Sequence, residues 1–248
     1  MTPCAVIPVY NHGDTVGAVL AALRGQGLPC FIVDDGSTPA CAQVLDALAA
    51  ADPVHVQLVR LPINSGKGAA MAVGLRTALA AGHSHALQID ADGQHALTDI
   101  PLFVAQAERE PDKVICGCPI YDDSVPKARL YGRYATHVWV WINTLSLEIR
   151  DSMCGFRIYP LAETVALLDT THIGRRMDFD TEILVRLVWR GMHLVNLPTR
   201  VLYPRGGISH FRVFRDNVLI SAMHARLFVG MLWRAPMLIA RRWTRAAR

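Results

Sequence analysis

The sequence predicts an α/β fold in which a mostly parallel sheet is covered by helices. Three observations carry that expectation. Short apolar runs of β type alternate with helix-patterned segments through the first 120 residues. Alternation of this kind requires crossover helices between strands, and therefore parallel strands with right-handed connections covering both faces. The polar clusters Tyr10-Asn11, Asp34-Asp35-Gly36-Ser37 and Asp90-Ala91-Asp92 each follow directly on an apolar run. They should therefore converge on the carboxyl edge of the sheet, where such folds bind ligands.

Taken in order, "CAVIPVY" (4–10), "CFIVDD" (30–35), "VHVQLVR" (54–60), "HALQID" (85–90) and "KVICGC" (113–118) read as strands. Between them "TVGAVLAALRGQ", "PACAQVLDALAA", "SGKGAAMAVGLRTALAAG" and "TDIPLFVAQAERE" read as helices. Beyond residue 120 the alternation breaks. Residues 124–149 read as a loop and a long helix, 154–160 as a short strand, 178–191 as a helix opened by acids and 192–203 as a further strand. A loop, "PRGGISHFR", then leads into a last helix of roughly 20 residues. The expected organisation is an α/β domain over 1–211, with a regularly alternating half (1–120) and an irregular half (121–211), followed by an amphipathic, basic segment over 212–248.

Composition narrows the class. Hydrophobic residues make up 52% of the 248, and the mean hydropathy of +0.24 is high for a freely soluble enzyme but short of an integral membrane protein. The net charge of +4 is unevenly placed: after Glu182 the only acidic residue is Asp216, while arginines recur up to Arg248. Such a basic C-terminal third favours an anionic partner. No DNA- or RNA-binding signature accompanies it, so a nucleic acid is not expected. The six cysteines form no C-x-x-C pair and no zinc-type spacing, and read as buried thiols. The chain runs straight into "PCAVIPVYN" without a charged leader and apolar h-region, so the expectation is a protein in the cytoplasm or on the cytoplasmic face of a membrane.

The last segment is interrupted by His224, Arg226 and Arg234 and broken by Pro236, which argues against a transmembrane span. Trp233 and Trp243 beside Arg241, Arg242, Arg245 and Arg248 suit a helix lying on anionic lipid. The competing reading is a helix packed on the catalytic domain or in an oligomer interface.

The chemistry concentrates in "LQIDADGQHAL" (87–97). If the strand ends at Asp90, Asp90 and Asp92 can both face the cleft, where a hard divalent cation could bridge them to a diphosphate, with Gln94 as a neutral oxygen ligand. A polar turn capped by Gly93 is the competing reading, and His95 has no assigned role. A carboxylate of Asp34-Asp35 suits a ribose or a base edge, although "DDGS" alone is an ordinary turn. In "NSGKGAAMAVG" (64–74) the glycines around Lys67 open a helix whose amides and ammonium could meet an anion. Close packing of the helix on the sheet is the alternative reason for its small residues.

"VIPVYN", "VDDGS", "NSGKGAA", "DADGQH" and "CGFR", in this order, resemble the family 2 glycosyltransferases, in particular the branch of dolichol-phosphate mannosyltransferase and bacterial polyprenyl-phosphate sugar transferases. The resemblance implies a glycosyltransferase A-type domain and inverting transfer of a hexose from a UDP- or GDP-sugar to a lipid acceptor, most of all a polyprenyl phosphate, at the cytoplasmic membrane face. It implies that Pro8, Tyr10, Asn11 and Asp35 contact the nucleotide. Asp90, Asp92 and Gln94 match the family's triplet for Mg²⁺ or Mn²⁺, and Arg129 the arginine that receives the acceptor phosphate. Arg133, one helical turn on, could join Arg129 on the same face. In "RGGISHF", Arg205, Ser209 and His210 stand where related transferases approach the donor diphosphate. Two departures are visible: His12 stands where the family commonly has Glu, and Cys154 where "SGFR" is usual.

A phosphate acceptor needs no general base, whereas a hydroxyl of another lipid or a secondary metabolite does. Asp151, Asp178, Asp180 and Glu182 are the candidates, with Asp180 preferred and helix capping the competing role for Asp178 and Asp180. The expected catalytic set is thus Asp92, Arg129 and Asp180, the expected donor set includes Asp34, Lys67 and Asp90, and Asp151 joins the acceptor side. A reading of another class is a non-catalytic protein that binds a nucleotide sugar or scaffolds a complex.

Overall fold

A computed structural model describes residues 1–120, 127–201 and 212–246, with the side chains of 127–129, 245 and 246 outside the description. Among the described residues seven strands form one sheet, in the order β3-β2-β1-β4-β6-β5-β7. The strands are β1 (Pro3–Val9), β2 (Cys30–Asp34), β3 (Val56–Arg60), β4 (His85–Gln88), β5 (Lys113–Ile120), β6 (Arg157–Pro160) and β7 (His193–Arg200). The helices are α1 (Gly13–Gly25), α2 (Pro39–Ala51), α3 (Lys67–Ala80), α4 (Ile100–Arg109), α5 (Lys127–Thr144), α6 (Leu161–Thr170), α7 (Phe179–Arg190) and α8 (Val213–Ala246).

The pleat sorts the core into two layers, because successive strand residues face opposite sides. Ala5, Ile7 and Val9 of β1 pack with α1, α2 and α4. Cys4 and Val6 pack with α3, α5, α6, α7 and α8 on the other face. The five cysteines other than Cys118 are buried, and all six are free thiols, as their spacing suggested.

Three features depart from the sequence reading. First, β6 runs antiparallel to both neighbours, with Arg157 opposite Gln88 on β4 and opposite Cys116 on β5. The chain leaving α5 returns at the carboxyl edge, so the next strand must run downward, and residues 151–156 are laid across the ends of β4 and β5. Second, α6 starts at Leu161, immediately after β6, with no turn residues to announce it. Third, α8 is 34 residues long and continues through Pro236. Proline removes one intrahelical donor, but Pro236 and Leu232 are both exposed, so the carbonyl left without its donor can be hydrated. Met231 and Leu238 hold the helix to the core on either side of the proline.

α8 is strapped to the domain rather than solvated. Its Met223 and Leu227 are fully buried, Arg226 bonds Glu182 at 3.2 Å, the Arg234 guanidinium lies 4.6 Å from the Trp189 ring centre, and Arg241 donates to the Trp189 carbonyl at 2.8 Å. Of the arginines read from sequence as lipid contacts, Arg241 thus docks the helix on α7, as do Arg226 and Arg234, which the sequence offered only as interruptions of an apolar stretch. By length and composition α8 could cross a membrane, with 22% of its most apolar window buried.

Candidate active site

The ends of β1, β2 and β4 lie side by side, as the strand-end clusters required. Asn11 adopts a left-handed conformation, φ 58°, which asparagine tolerates. Its N–H donates to Ser37 Oγ at 3.0 Å, and its side-chain oxygen accepts the Thr38 N–H at 2.8 Å. Pro8 and Tyr10 are half-buried at the same edge.

The two aspartates of "DDGS" hold loops in place. Asp34 is fully buried and accepts the Ser37 N–H and the Arg60 Nε–H. Asp35 accepts the N–H groups of Ser65 at 2.7 Å and Gly66 at 2.8 Å, and burial pushes its carboxyl upward despite both amides. Three amides of "NSGKGAA" are therefore not free to meet an anion: Ser65 and Gly66 serve Asp35, and the Ala69 N–H is accepted by Arg175 O at 3.0 Å. The small residues answer to packing. A Cβ on Gly68 would lie 2.5 Å from Phe179 Cβ and 2.6 Å from Gly174 O.

Lys67, the first residue of α3, faces the acidic centre. Its Nζ lies 2.7 Å from Asp90 Oδ1, 2.9 Å from Asp90 Oδ2 and 2.7 Å from Asp180 Oδ2. Burial works against its charge, but Asp180 and Asp90 outweigh it and hold the ammonium protonated well above its ordinary range. Burial would likewise raise Asp90, yet Lys67 and the His95 imidazole 3.7 Å away keep it well below the usual carboxylate range. Asp92 moves the other way, raised by burial and by the Asp90 charge. Burial lowers His95, but Asp90 and Cys154 outweigh it and carry the ring to about 10. His95 also stacks on Phe156 at 5.4 Å, and so buttresses Asp90 rather than capping a helix.

Behind this centre lies a buried polar chain in which Asp180 and Arg157, the last residue of "CGFR", are joined by Gln88 and Tyr159, which motif reading missed. Gln88 donates to Asp180 Oδ1 at 2.8 Å and accepts from the Tyr159 hydroxyl at 3.1 Å. Arg157, fully buried, donates to Asp180 O and Ser152 O at 2.6 Å each. Both oxygens of Asp180 are thereby engaged, by Lys67 and by Gln88. Neither Asp178 nor Asp180 makes the capping contact considered for them: Asp178, at the N-cap of α7, has no side-chain cap bond and accepts the Arg176 N–H instead. Glu182 is fully buried and held by Arg186, Arg226 and the Gly174 N–H.

The antiparallel β6 explains the glycine of "CGFR". A Cβ on Gly155 would lie 2.1 Å from Asp90 Oδ2, so only glycine lets that backbone lie against the carboxylate. On the far side Arg133 of α5 forks onto Asp151, Nε to Oδ2 at 2.6 Å and Nη2 to Oδ1 at 2.7 Å. Asp151 also accepts the N–H groups of Met153 and Cys154. Burial opposes its charge, but His137 and Arg133 hold it well below the ordinary range. Asp90, Asp92, Gln94, Arg133, Cys154 and Gly155 line one cavity of about 80 Å³. A larger cleft of about 480 Å³ lies at the opposite edge, at the start of β2 and β3, and carries no carboxylate. Of the other expected site residues, Arg129 lies in the first turn of α5 with its side chain outside the described residues, as do Arg205, Ser209 and His210 entirely.

The carboxylates of Asp90 and Asp92 and the amide of Gln94 are a hard oxygen donor set around one small cavity, which suits Mg²⁺ or Mn²⁺. Asp90 Oδ1 is buried and accepts no hydrogen bond of good geometry, with the Lys67 ammonium beside it. Among the described residues no three His, Cys, Asp or Glu side chains form a self-sufficient metal cage. A set of this kind holds a cation together with substrate oxygens.

Residues 4–168 match the model of the family described as Glycosyl transferase family 2. The undecaprenyl-phosphate mannosyltransferase of Micrococcus luteus is 27% identical over 80% of this chain and 82% of its own length. Glucosyl-3-phosphoglycerate synthase of Mycobacterium tuberculosis, solved with Mn²⁺, UDP-glucose and phosphoglyceric acid, superposes with a TM-score of 0.62 at 16% identity, over 93% of this chain and 78% of that one. A mannosyltransferase of Pyrobaculum calidifontis, solved with GDP-Man and Mn²⁺, gives 0.56 at 15% identity, over 99% and 75%.

Proposed function

The chain belongs to glycosyl transferase family 2, and from that premise we propose that it transfers a hexose, with inversion and with the help of Mg²⁺ or Mn²⁺, from a UDP- or GDP-sugar to a polyprenyl phosphate at the cytoplasmic face of the membrane. Its enzyme class and its glycosyltransferase A-type fold follow from the family match and the solved neighbours.

One observation carries the finer reading: Arg133 and the Asp90, Asp92, Gln94 set line the same cavity. A cation centre for a leaving diphosphate and a cation from the acceptor half therefore face one space. In the proposed reaction Asp90, Asp92 and Gln94 hold the metal, which when bound supplies charge neutralisation for the departing diphosphate. Lys67 adds a second positive charge beside Asp90. Arg129 and Arg133 receive the acceptor phosphate, Arg133 oriented by its fork on Asp151. Pro8, Tyr10, Asn11 and Asp35 shape the nucleotide edge, with Asp35 acting through the 64–67 loop.

Asp180 bears on the acceptor class. Both of its oxygens are occupied, by the Lys67 ammonium and the Gln88 amide, which suits an electrostatic role better than proton abstraction. A phosphate monoester is already largely anionic at neutral pH and needs no base, so it fits where an alcohol does not. Peripheral attachment to the membrane suits such an acceptor.

The test is transfer from a panel of radiolabelled UDP- and GDP-sugars to undecaprenyl phosphate in detergent, with and without Mn²⁺, paired with calorimetry of donor binding. The expected result is metal-dependent binding of one donor class and a lipid-soluble product. Absence of metal-dependent binding by every donor would sink the reading. Turnover by Asp180→Asn within about tenfold of wild type, about 1.4 kcal/mol in barrier, marks a phosphate acceptor, whereas its abolition with donor binding intact marks a hydroxyl acceptor.

A further inference from the structure

α8 is apolar on two sides. Met223, Leu227, Met231 and Leu238 pack inward, yet Phe214, Val218, Val229, Leu232, Trp233 and Trp243 are 86%, 52%, 56%, 55%, 84% and 76% exposed. Their spacing follows a helical stripe. α5 carries a matching outward stripe: Tyr131, Tyr134, Val138 and Ile142, three to four residues apart, are all exposed. The two stripes meet where the exposed Trp139 of α5 contacts Phe228 of α8 edge-on, ring centres 6.1 Å apart. Exposed apolar surface this continuous marks an interaction site.

We infer that the outward faces of α5 and α8 form one platform that seats the enzyme flat on an anionic lipid bilayer. The inference rests on the lipid-acceptor reading for its purpose, although not for its geometry. Charge selects the partner. The sequences of α5 and α8 hold nine Lys or Arg and a single carboxylate, Asp216; Arg133, Arg226, Arg234 and Arg241 are engaged with the domain, while Arg215 and Arg242 are exposed beside the apolar stripe. Asp216 is buried and accepts the Arg212 N–H. A second copy docked through the same face would set cations against cations, whereas anionic headgroups complement them and the tryptophans suit the interface.

The helix lies on the bilayer rather than across it. Spanning would pull Arg226 from Glu182, Arg234 and Arg241 from Trp189, and His224 from Asn143. Removing Arg226 would also take one of two cationic partners from a fully buried carboxylate, a costly change. α5 also gives the platform its use. The helix that presents Tyr134 and Val138 outward carries Arg133 into the cavity of Asp90 and Asp92. A helix is about 10 Å across, so a lipid-borne phosphate at headgroup depth is one helix away from the metal set.

Flotation of the full chain with extruded vesicles tests this, comparing phosphatidylethanolamine:phosphatidylglycerol with phosphatidylcholine. Wild type is expected to float with the anionic vesicles only. The pairs Tyr134→Glu with Val138→Glu, and Val229→Glu with Trp233→Glu, are each expected to weaken that binding about tenfold or more, since each pair adds two negative charges at the surface. All three proteins should be monomers by light scattering and should bind sugar nucleotide alike. Wild-type-like flotation of the α5 pair overturns the platform, as does equal binding to both lipids. So does a wild-type dimer that the α8 pair dissociates. Transfer to a water-soluble short-chain prenyl phosphate separates the two readings: its absence in a vesicle-binding wild type refutes the acceptor and leaves the platform standing.

Discussion

Lys67 Nζ stands 2.7 Å from a carboxylate oxygen of Asp90 and 2.7 Å from one of Asp180, joining the end of β4 to the start of α7 through one ammonium. Lys67→Met removes the one ammonium that the two carboxylates share. Stability should fall by about 3 kcal/mol, the lower end for a broken buried pair because the Asp90 side chain is 25% exposed. Added Mn²⁺ should recover part of the loss, read as a larger Mn²⁺-induced rise in Tm than wild type shows.

Gln88 is the amide that orients Asp180 from within the sheet. Gln88→Leu strips a partner from both Asp180 Oδ1 and the Tyr159 hydroxyl, a loss of about 1–3 kcal/mol. Turnover should fall while the donor KM changes little, because Asp90 and Asp92 are untouched. Gln88→Glu should be worse than Gln88→Leu in both Tm and kcat, since it buries a further carboxylate beside Asp180.

Gly155→Ala places a methyl 2.1 Å from Asp90 Oδ2. Overpacking of that kind costs about 1–3 kcal/mol, and the carboxylate must move to accommodate it. Calorimetry should show Mn²⁺-dependent donor binding weakened about tenfold or more with an unchanged far-ultraviolet spectrum. Unaltered metal-dependent binding would show that Asp90 does not hold the cation.

Arg133→Met removes a bidentate partner from Asp151 and a cation from the cavity. The acceptor KM should rise while donor affinity stays within about twofold, a shift of roughly 0.4 kcal/mol. Arg133→Lys should recover little, since an ammonium cannot reproduce the fork.

His224 of α8, packed against Asn143 and Trp139 of α5, is pushed by burial down to about 4, below its ordinary 6.5. The folded form therefore binds fewer protons than the unfolded chain between those values, so stability is complete above about pH 6.5 and lost as pH falls toward 4. Tm should decline across that window, and hydrogen exchange in α8 should rise with it. His224→Gln should flatten the pH dependence of the α8 exchange.

Much of this was legible in the sequence because it is local. Period and punctuation located the strands that became β1 to β5, "DADGQ" and Lys67 were recognisable from their place after a strand or at a helix start, and Arg133 from lying one turn beyond Arg129, which the family resemblance supplied. What local pattern cannot carry is direction and distant pairing. Nothing in "FRIYP" says that β6 runs antiparallel. The roles of Gln88 and of the arginine of "CGFR", Arg157, were hidden because their partner, Asp180, lies 92 and 23 residues away. Three amides of "NSGKGAA" misled for a similar reason: the acceptors of Ser65, Gly66 and Ala69, Asp35 and Arg175, come from remote segments.

The position of β6 also governs how the molecule can be made. A ribosome that has released residues 1–120 has delivered β4 and β5 but not the strand that lies between them. Until residue 160 emerges, β4 presents an unpaired edge, and β5 has neither of its partners, β6 or β7. Assembly of the carboxylate edge is therefore a late event in the nascent chain, and the first 120 residues produced alone should be a chaperone client rather than a nucleotide-binding module.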